Sequence, residues 1–497
     1  MNAPAPSAAE RRWLVTAALL ATYLQAVMIS LPNAVVLRVE GAMAMADDEI
    51  GWVFSAYIAA SAVIMPMTGW LAGRFGRKRV MQTSLLLFGL GLALATQAAT
   101  MPQFIAARIV EGAASGPIAP LSVAILLSIT PPERHARISL IATVTVLLGI
   151  LSGPALGGWI SEDRDWRIGF YCAVPLTALV IALFAATLRE AKPAQAPAFD
   201  LFGLASVSLG MIGLQMLLDR GERVEWFAST ESCLEAGASA LGFGLYAVHV
   251  LTSERHFIDK RLFQDRNFVL ATVMFFAFGF VLLPTLALTS PMLEELLGYP
   301  DDTTGVMTIP RGLALIGGLL LGGRLARAID IRLLVLGGIA LTAYGNARML
   351  GYSPLMDWQP VVVAGAIQGA GLGIVMAALA RAAFSTLAPQ LRAEGTALFN
   401  LARLYGSTLG IAVVQIYLYD NTQMVHLALA ANLTGHQVPT RLGGLFAGAG
   451  LATLNDMITG QAALIGVIDQ FKLLMFAILA VSPLALLLRV PRQPAQS

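Results

Sequence analysis

Apolar stretches of roughly twenty residues recur from Trp13 to Leu488, and a chain built that way has few ways to fold. A hydrocarbon layer about 30 Å thick takes about 20 residues of α-helix, with every backbone group bonded inside the segment. Candidate spans run over 13–36, 51–72, 80–98, 103–128, 137–159, 168–188, 201–218, 233–252, 268–290, 303–327, 331–350, 360–381, 395–418 and 463–488. That is fourteen, so an all-α polytopic membrane protein is expected, with both termini on one side. Composition agrees. Hydrophobic residues make up 57% of the chain and charged residues 12%, against about 25% charged in a soluble domain.

Arg11 and Arg12 precede the first apolar run, as in a signal peptide. The run to about Val36 is too long for a signal h-region, so an uncleaved first span is expected. Charge placement then orients the chain. One set of loops carries Arg74, Arg77, Lys78 and Arg79, then Arg134 and Arg137, then Arg189 and Lys192. It continues through Arg255, Lys260, Arg261, Arg266, Arg324, Arg327 and Arg332 to Arg489 and Arg492. The opposite set carries Asp47, Asp48, Glu49, Glu294, Glu295, Asp301 and Asp302. The basic loops are expected in the cytoplasm, with both termini. Leu442 to Met457 is short and glycine-rich, and as a span it would move Arg489 and Arg492 outside. It is therefore read as part of a long outer loop, 419–459, which holds the sequon Asn432-Leu433-Thr434.

Several function classes drop out. A net charge of +2 without a basic patch gives nucleic acid nothing to bind. The five histidines and two cysteines have no metal-ligand spacing, and Cys172 and Cys233 are expected as small buried hydrophobes. No nucleophile–base constellation suggests an enzyme. No Gly-x-x-x-x-Gly-Lys-Ser/Thr element exists to hold ATP. No cofactor is implied, which leaves an ion gradient as the energy source.

The chain repeats itself. Gly69-Trp70-Leu71-Ala72 matches Gly323-Arg324-Leu325-Ala326, and Glu111-Gly112 with Gly116 matches Gln368-Gly369 with Gly373. Pro132 matches Pro389, and Gly153-Pro154-Ala155-Leu156-Gly157 matches Gly406-Ser407-Thr408-Leu409-Gly410. The order implies a six-helix half over 1–190, two inserted helices over 191–262 and a second six-helix half over 263–497.

Three motifs carry a resemblance. The loop Gly69-Trp70-Leu71-Ala72-Gly73-Arg74-Phe75-Gly76-Arg77-Lys78-Arg79 joins spans 2 and 3. Span 4 holds Arg108, Glu111, Gly112 and Gly116, and span 5 ends in Gly149-Ile150-Leu151-Ser152-Gly153-Pro154-Ala155-Leu156-Gly157-Gly158. These are similar to the cytoplasmic gate loop, the Arg-x-x-Gln-Gly element and the antiporter motif of the major facilitator superfamily. Gly73 stands where that family usually has Asp, and Glu111 where it has Gln. Trp166-Arg167 with Phe170 and Pro175, and Leu218 to Arg223 before Trp226, resemble the fourteen-span drug:proton antiporters of the EmrB and QacA type.

The resemblance implies a proton-coupled multidrug exporter of amphipathic or lipophilic compounds in the inner membrane. The alternative is a dedicated exporter of one metabolite, lipid or amphipathic acid on the same fold. Relatives of the EmrB type work with a periplasmic adaptor and an outer-membrane channel, a partnership the resemblance permits. A proton-coupled machine needs a titratable group at membrane depth. Glu111 lies about ten residues into span 4, near the midplane at ~1.5 Å per residue, with Arg108 one turn earlier. Gln25, Arg311, Gln368 and Asn400 are the candidate cavity liners, and Arg403 is read as structural. Asp469 is expected near the outer interface, paired with Lys472. Met274, Phe275, Phe276 and Phe278 in span 9 are expected in a pocket or facing lipid.

Overall fold

Prolines set where the first helices break. The structure, a computed structural model, describes residues 7–45, 52–131, 134–161, 165–189, 200–220, 226–253, 260–388, 391–431 and 449–489. Helix α1 (Ala8–Ser30) opens with a capping box between Ser7 and Glu10. It gives way to α2 (Pro32–Met43), because Pro32 has no N–H to donate to the Met28 carbonyl. Span 2 is α3 (Trp52–Ile64), a 3₁₀ turn around Pro66 and α4 (Thr68–Phe75). Span 3 is α5 (Arg77–Gln97). Span 4 comprises α6 (Met101–Ser115) and α7 (Ile118–Ser128), divided at Pro117. Spans 5 and 6 are α8 (His135–Ser161) and α9 (Ile168–Thr187).

The expected inserted pair, α10 (Leu201–Arg220) and α11 (Thr230–Thr252), pack on each other, and α10 leans on α3. After the short α12 (Arg261–Gln264), the second half runs through α13 (Arg266–Pro291), α14 (Asp301–Leu325), α15 (Ile331–Met349) and α16 (Trp358–Ser385). It ends with α17 (Arg392–Ala431), α18 (Ala449–Ala480) and α19 (Ser482–Leu486). Thirteen helical stretches among the described residues are long and apolar enough to cross a membrane. Helix α15, where the sequence places an eleventh span, is not among them: it carries Arg332 and Arg348 at its ends, and it packs on α16 and α18.

Two hydrophobic cores form, one largely within α1–α9 and one largely within α13–α19. The halves meet where α8 packs on α14, α2 on α13 and α3 on α17, and α10 also touches α17.

The repeat shows up as contacts. A Cβ on Gly91 of α5 would lie 2.7 Å from the Glu111 backbone nitrogen, and one on Gly345 of α15 would lie 2.6 Å from that of Gln368. Side chains on Gly112 and Gly369 would collide with the carbonyls of Tyr57 and Arg311. Gly149 presses on Tyr23 of α1 as Gly406 presses on Phe276 of α13, and Gly153 and Gly410 follow one turn later. This moves the expected span 5 match by one turn: Gly149 and Gly153, rather than Gly153 and Gly157, correspond to Gly406 and Gly410. Spaced glycines alone fit either register, and only the partner helix distinguishes them. Pro132 and Pro389 lie outside the described residues.

Other expectations also change. The segment 419–459, expected as a long outer loop, is helical in its described part. Helix α17 runs 40 residues to Ala431, and α18 begins at Ala449. The sequence Gln423 to Ala431 is full of helix formers, so hydropathy marks where the membrane ends but not where the helix does. The sequon, Asp47, Asp48 and Glu49 lie outside the described residues. Cys172 and Cys233 are exposed rather than buried, because an apolar outer helix face suits lipid as well as a core does. Phe275 and Phe278 are buried in the second core, with Phe275 stacked on Phe399 at 3.9 Å between centroids. With Met274 they face neither pocket nor lipid.

Candidate functional site

Arg108 and Glu111 sit one turn apart on α6 and are fully buried, with Arg108 Nη1 2.8 Å from Glu111 Oε2. Burying two charges is expensive unless the remaining donors are also satisfied. Arg108 Nε donates to the Val53 carbonyl at 3.1 Å, and Nη2 donates to the Met28 carbonyl at 3.3 Å. That second acceptor is the carbonyl left free by Pro32. The guanidinium also lies over the Tyr57 ring, 4.3 Å from its centroid. Glu111 Oε1 has no hydrogen-bond partner among the described residues. The closeness of α5 at Gly91 and of α3 at Gly112 seals the carboxylate inside the first half.

The second half holds a related socket. Arg311 of α14 donates from Nε to Gln368 Oε1 at 2.8 Å and from Nη2 to the Leu282 carbonyl at 3.0 Å. Gln368 Nε2 donates to Thr285 at 3.1 Å and to Asn346 Oδ1 at 2.6 Å. Gly365 lies where the repeat would place the counterpart of Arg108, and its missing side chain leaves room for the Arg311 stem. So each half puts a guanidinium against span 1 or its equivalent, span 9, but from different helices. Glu111 faces one guanidinium, and Gln368 faces the other.

A cavity of about 40 Å³ lies at the seam, walled by Leu147, Ile150, Leu151 and Pro154 of α8 and by residues of α13 and α14. That volume holds a few waters, not a drug-sized ligand. Arg311 lines this cavity and a smaller neighbour that also touches Tyr352. Of the four expected cavity liners it alone does so. Gln368 is fully buried in its interhelical bonds, and Gln25 is buried with Oε1 unpartnered among the described residues. Asn400 bonds the Thr396 carbonyl of its own helix. Neither cavity reaches Glu111. Arg403, on α17, has its backbone packed against Gly279. Asp469 is half-buried and accepts from Asn421 of α17 at 2.7 Å instead of sitting in an exposed pair.

The gate loop is less a loop than two helices meeting at Gly76, whose φ of 92° favours glycine. Gly69 and Gly73 fall within α4, and nothing lies within 4 Å of a Cβ placed on Gly69. Arg74 and Arg77 are exposed. Lys78 makes a long-range contact, donating to the Ala185 carbonyl near the end of α9 at 2.8 Å. At the other end of these spans, Arg167 Nη2 donates to the Ala98 carbonyl at 2.9 Å, with its guanidinium over Trp166.

In the antiporter motif, Gly149 and Gly153 press on α1 and its junction with α2, while Pro154 and Ala155 touch Gly305 of α14. Gly157 and Gly158 are buried on the same helix. Helix α8 therefore sits between its own half and the opposite one, where a relative motion of the halves must pass.

The Major Facilitator Superfamily pattern matches residues 13–411. The chain belongs to the major facilitator superfamily. Within it, the chain is similar to the probable multidrug resistance protein EmrY of Escherichia coli (strain K12), at 27% identity over 99% of this chain and 98% of that protein. It is similar to the multidrug export protein EmrB of Haemophilus influenzae, at 28% identity over 84% and 83% of the two chains. It is also similar to the fatty acid resistance protein FarB of Neisseria gonorrhoeae, at 27% identity over 94% of each. The fold of this superfamily member is similar to that of a bacterial homolog to the human lysosomal transporter Spinster in its inward-facing, unoccupied conformation. The TM-score is 0.66 at 14% identity, covering 98% of this chain and 100% of that one.

Proposed function

We propose that this chain is a proton-coupled multidrug exporter of the inner membrane, carrying amphipathic or lipophilic compounds outward with both termini in the cytoplasm. The observation that carries the reading is the placement of α8. Its small-residue face packs on α1, and its other face walls an apolar cavity shared with the opposite half. A helix so placed links occupancy of the seam to the packing of the first half. The near-full-length likeness to named multidrug resistance and export proteins supports the same reading.

The proton gradient supplies about 1.4 kcal/mol per pH unit and about 2.3 kcal/mol per charge per 100 mV. Glu111 is the proton carrier in this reading. Sealed as it is, it exchanges protons only when the helices around Gly91 and Gly112 separate. Arg108 sets its charge balance. The likeness to EmrB also supports a periplasmic adaptor and an outer-membrane channel as partners.

Everted vesicles test the function. On acidifying the lumen, vesicles holding the protein should accumulate a lipophilic dye, and a proton uncoupler should abolish the uptake. Uptake that ignores the pH gradient would overturn proton coupling.

A further inference from the structure

We infer that the Arg311 cavity is a head-group subsite for a monoanionic amphipath, such as a medium-chain carboxylate or sulfonate. This rests on the exporter reading above and names the substrate chemistry of the same seam.

Arg311 is the only Arg, Lys, Asp or Glu lining either cavity, and among the described residues it makes no ion pair. Its described partners are neutral, the Gln368 amide and the Leu282 carbonyl, and Nη1 has no bond among the described residues. Gln368 gives Arg311 its one amide oxygen, and its Nε2 donates to Thr285 and Asn346, so it brings no negative charge to the guanidinium. The other half shows how the chain compensates such a group, since Glu111 stands where Gln368 does and neutralises Arg108. A guanidinium inside the bilayer without a counter-charge is costly. Its planar fork matches carboxylate and sulfonate oxygens.

The surroundings fix the rest of the ligand. The larger cavity is walled by leucines, Ile150 and Pro154, with Thr308 as its one other polar side chain. At about 40 Å³ the cavity has room for the head group, and its walls suit an apolar tail only once the seam widens; a cationic amphipath would meet a like charge. Because the walls come from α8 on one side and α13 and α14 on the other, a ligand seated on Arg311 touches both halves.

The test measures binding of octanoate, octanesulfonate and octyltrimethylammonium to the purified full-length protein by calorimetry. Wild type should bind both anions at least about tenfold more tightly than the cation. Arg311→Gln should erase that ratio. Gln368→Glu, which supplies an internal carboxylate as Glu111 does in the first half, should erase it too while leaving a guanidinium in place. A purely structural role would weaken all three ligands together and leave the ratio unchanged, and that result overturns the proposal. Everted vesicles separate the two readings. If wild type carries a neutral dye but shows no anion preference, the subsite fails and the exporter stands. If anions bind with the expected ratio but nothing is transported, the exporter reading fails alone. A phosphatidylglycerol molecule retained by wild type, lost in Arg311→Gln and blocking octanoate would mark a resident lipid and overturn the substrate assignment.

Discussion

Lys78 and Arg332 make the same contact in the two halves. Each is the second residue of its helix, α5 or α15, and each donates to a carbonyl at the end of its half's last span. Lys78 Nζ reaches Ala185 O at 2.8 Å, and Arg332 Nε reaches Leu488 O at 2.7 Å. A cation is favoured there because a helix C-terminus presents unpaired carbonyls. The first and last spans of each half are tied on the same side, by Glu10 with Arg189 and by Asn267 with Arg489. Each half is thus bound as a unit at its basic face.

Those latches lie within the halves, so they hold each half rigid rather than locking one to the other. Lys78→Met and Arg332→Met should each lower unfolding stability by about 0.5–1 kcal/mol. Thermal melts of the purified variants check this. Melts identical to wild type would remove the latch.

Two glycines of one motif should behave differently. Gly69→Ala meets open space in a helix and should be neutral or stabilising, by up to about 1 kcal/mol. Gly76→Ala puts a side chain at φ 92° and should cost about 1 kcal/mol or more. Stability and dye export of the two variants, measured together, decide whether the motif is read correctly as two helices around one obligatory turn.

Gly153→Ala should lower export more steeply than Leu156→Ala on the same helix. The first pushes a methyl group into Ser30 and Leu31 at the α1–α2 junction, whereas Leu156 is exposed. Equal effects in vesicle assays, at equal membrane levels, would remove the close-packed face from the mechanism.

Arg108→Leu leaves a buried carboxylate without its counter-charge and should cost about 3–5 kcal/mol. Combining it with Glu111→Leu should recover most of that loss, and a double-mutant cycle measures the coupling. Additive losses would mean the 2.8 Å pair contributes nothing as a pair.

The spans were readable because the bilayer demands long apolar helices, and the repeat because both halves need glycine at the same crossings. The Arg108–Glu111 pair was readable because it lies within one turn of one helix. The Arg311–Gln368 bond was not, since it joins residues 57 apart on helices that pass each other. Nor could Thr285 and Asn346 be picked from many similar polar residues without knowing which faces meet. The exposed Cys172 and the helical Tyr419–Ala431 share a cause: hydropathy reports suitability for an apolar setting and says nothing of which neighbour provides it.

If Glu111 gives up its proton when substrate binds, proton release measures that directly. Detergent-purified wild type, in weak buffer, should release protons on addition of a dye that it exports in vesicles. Glu111→Gln should bind the dye and release none. Release by Glu111→Gln equal to wild type would contradict the account and leave Glu111 as the structural partner of Arg108.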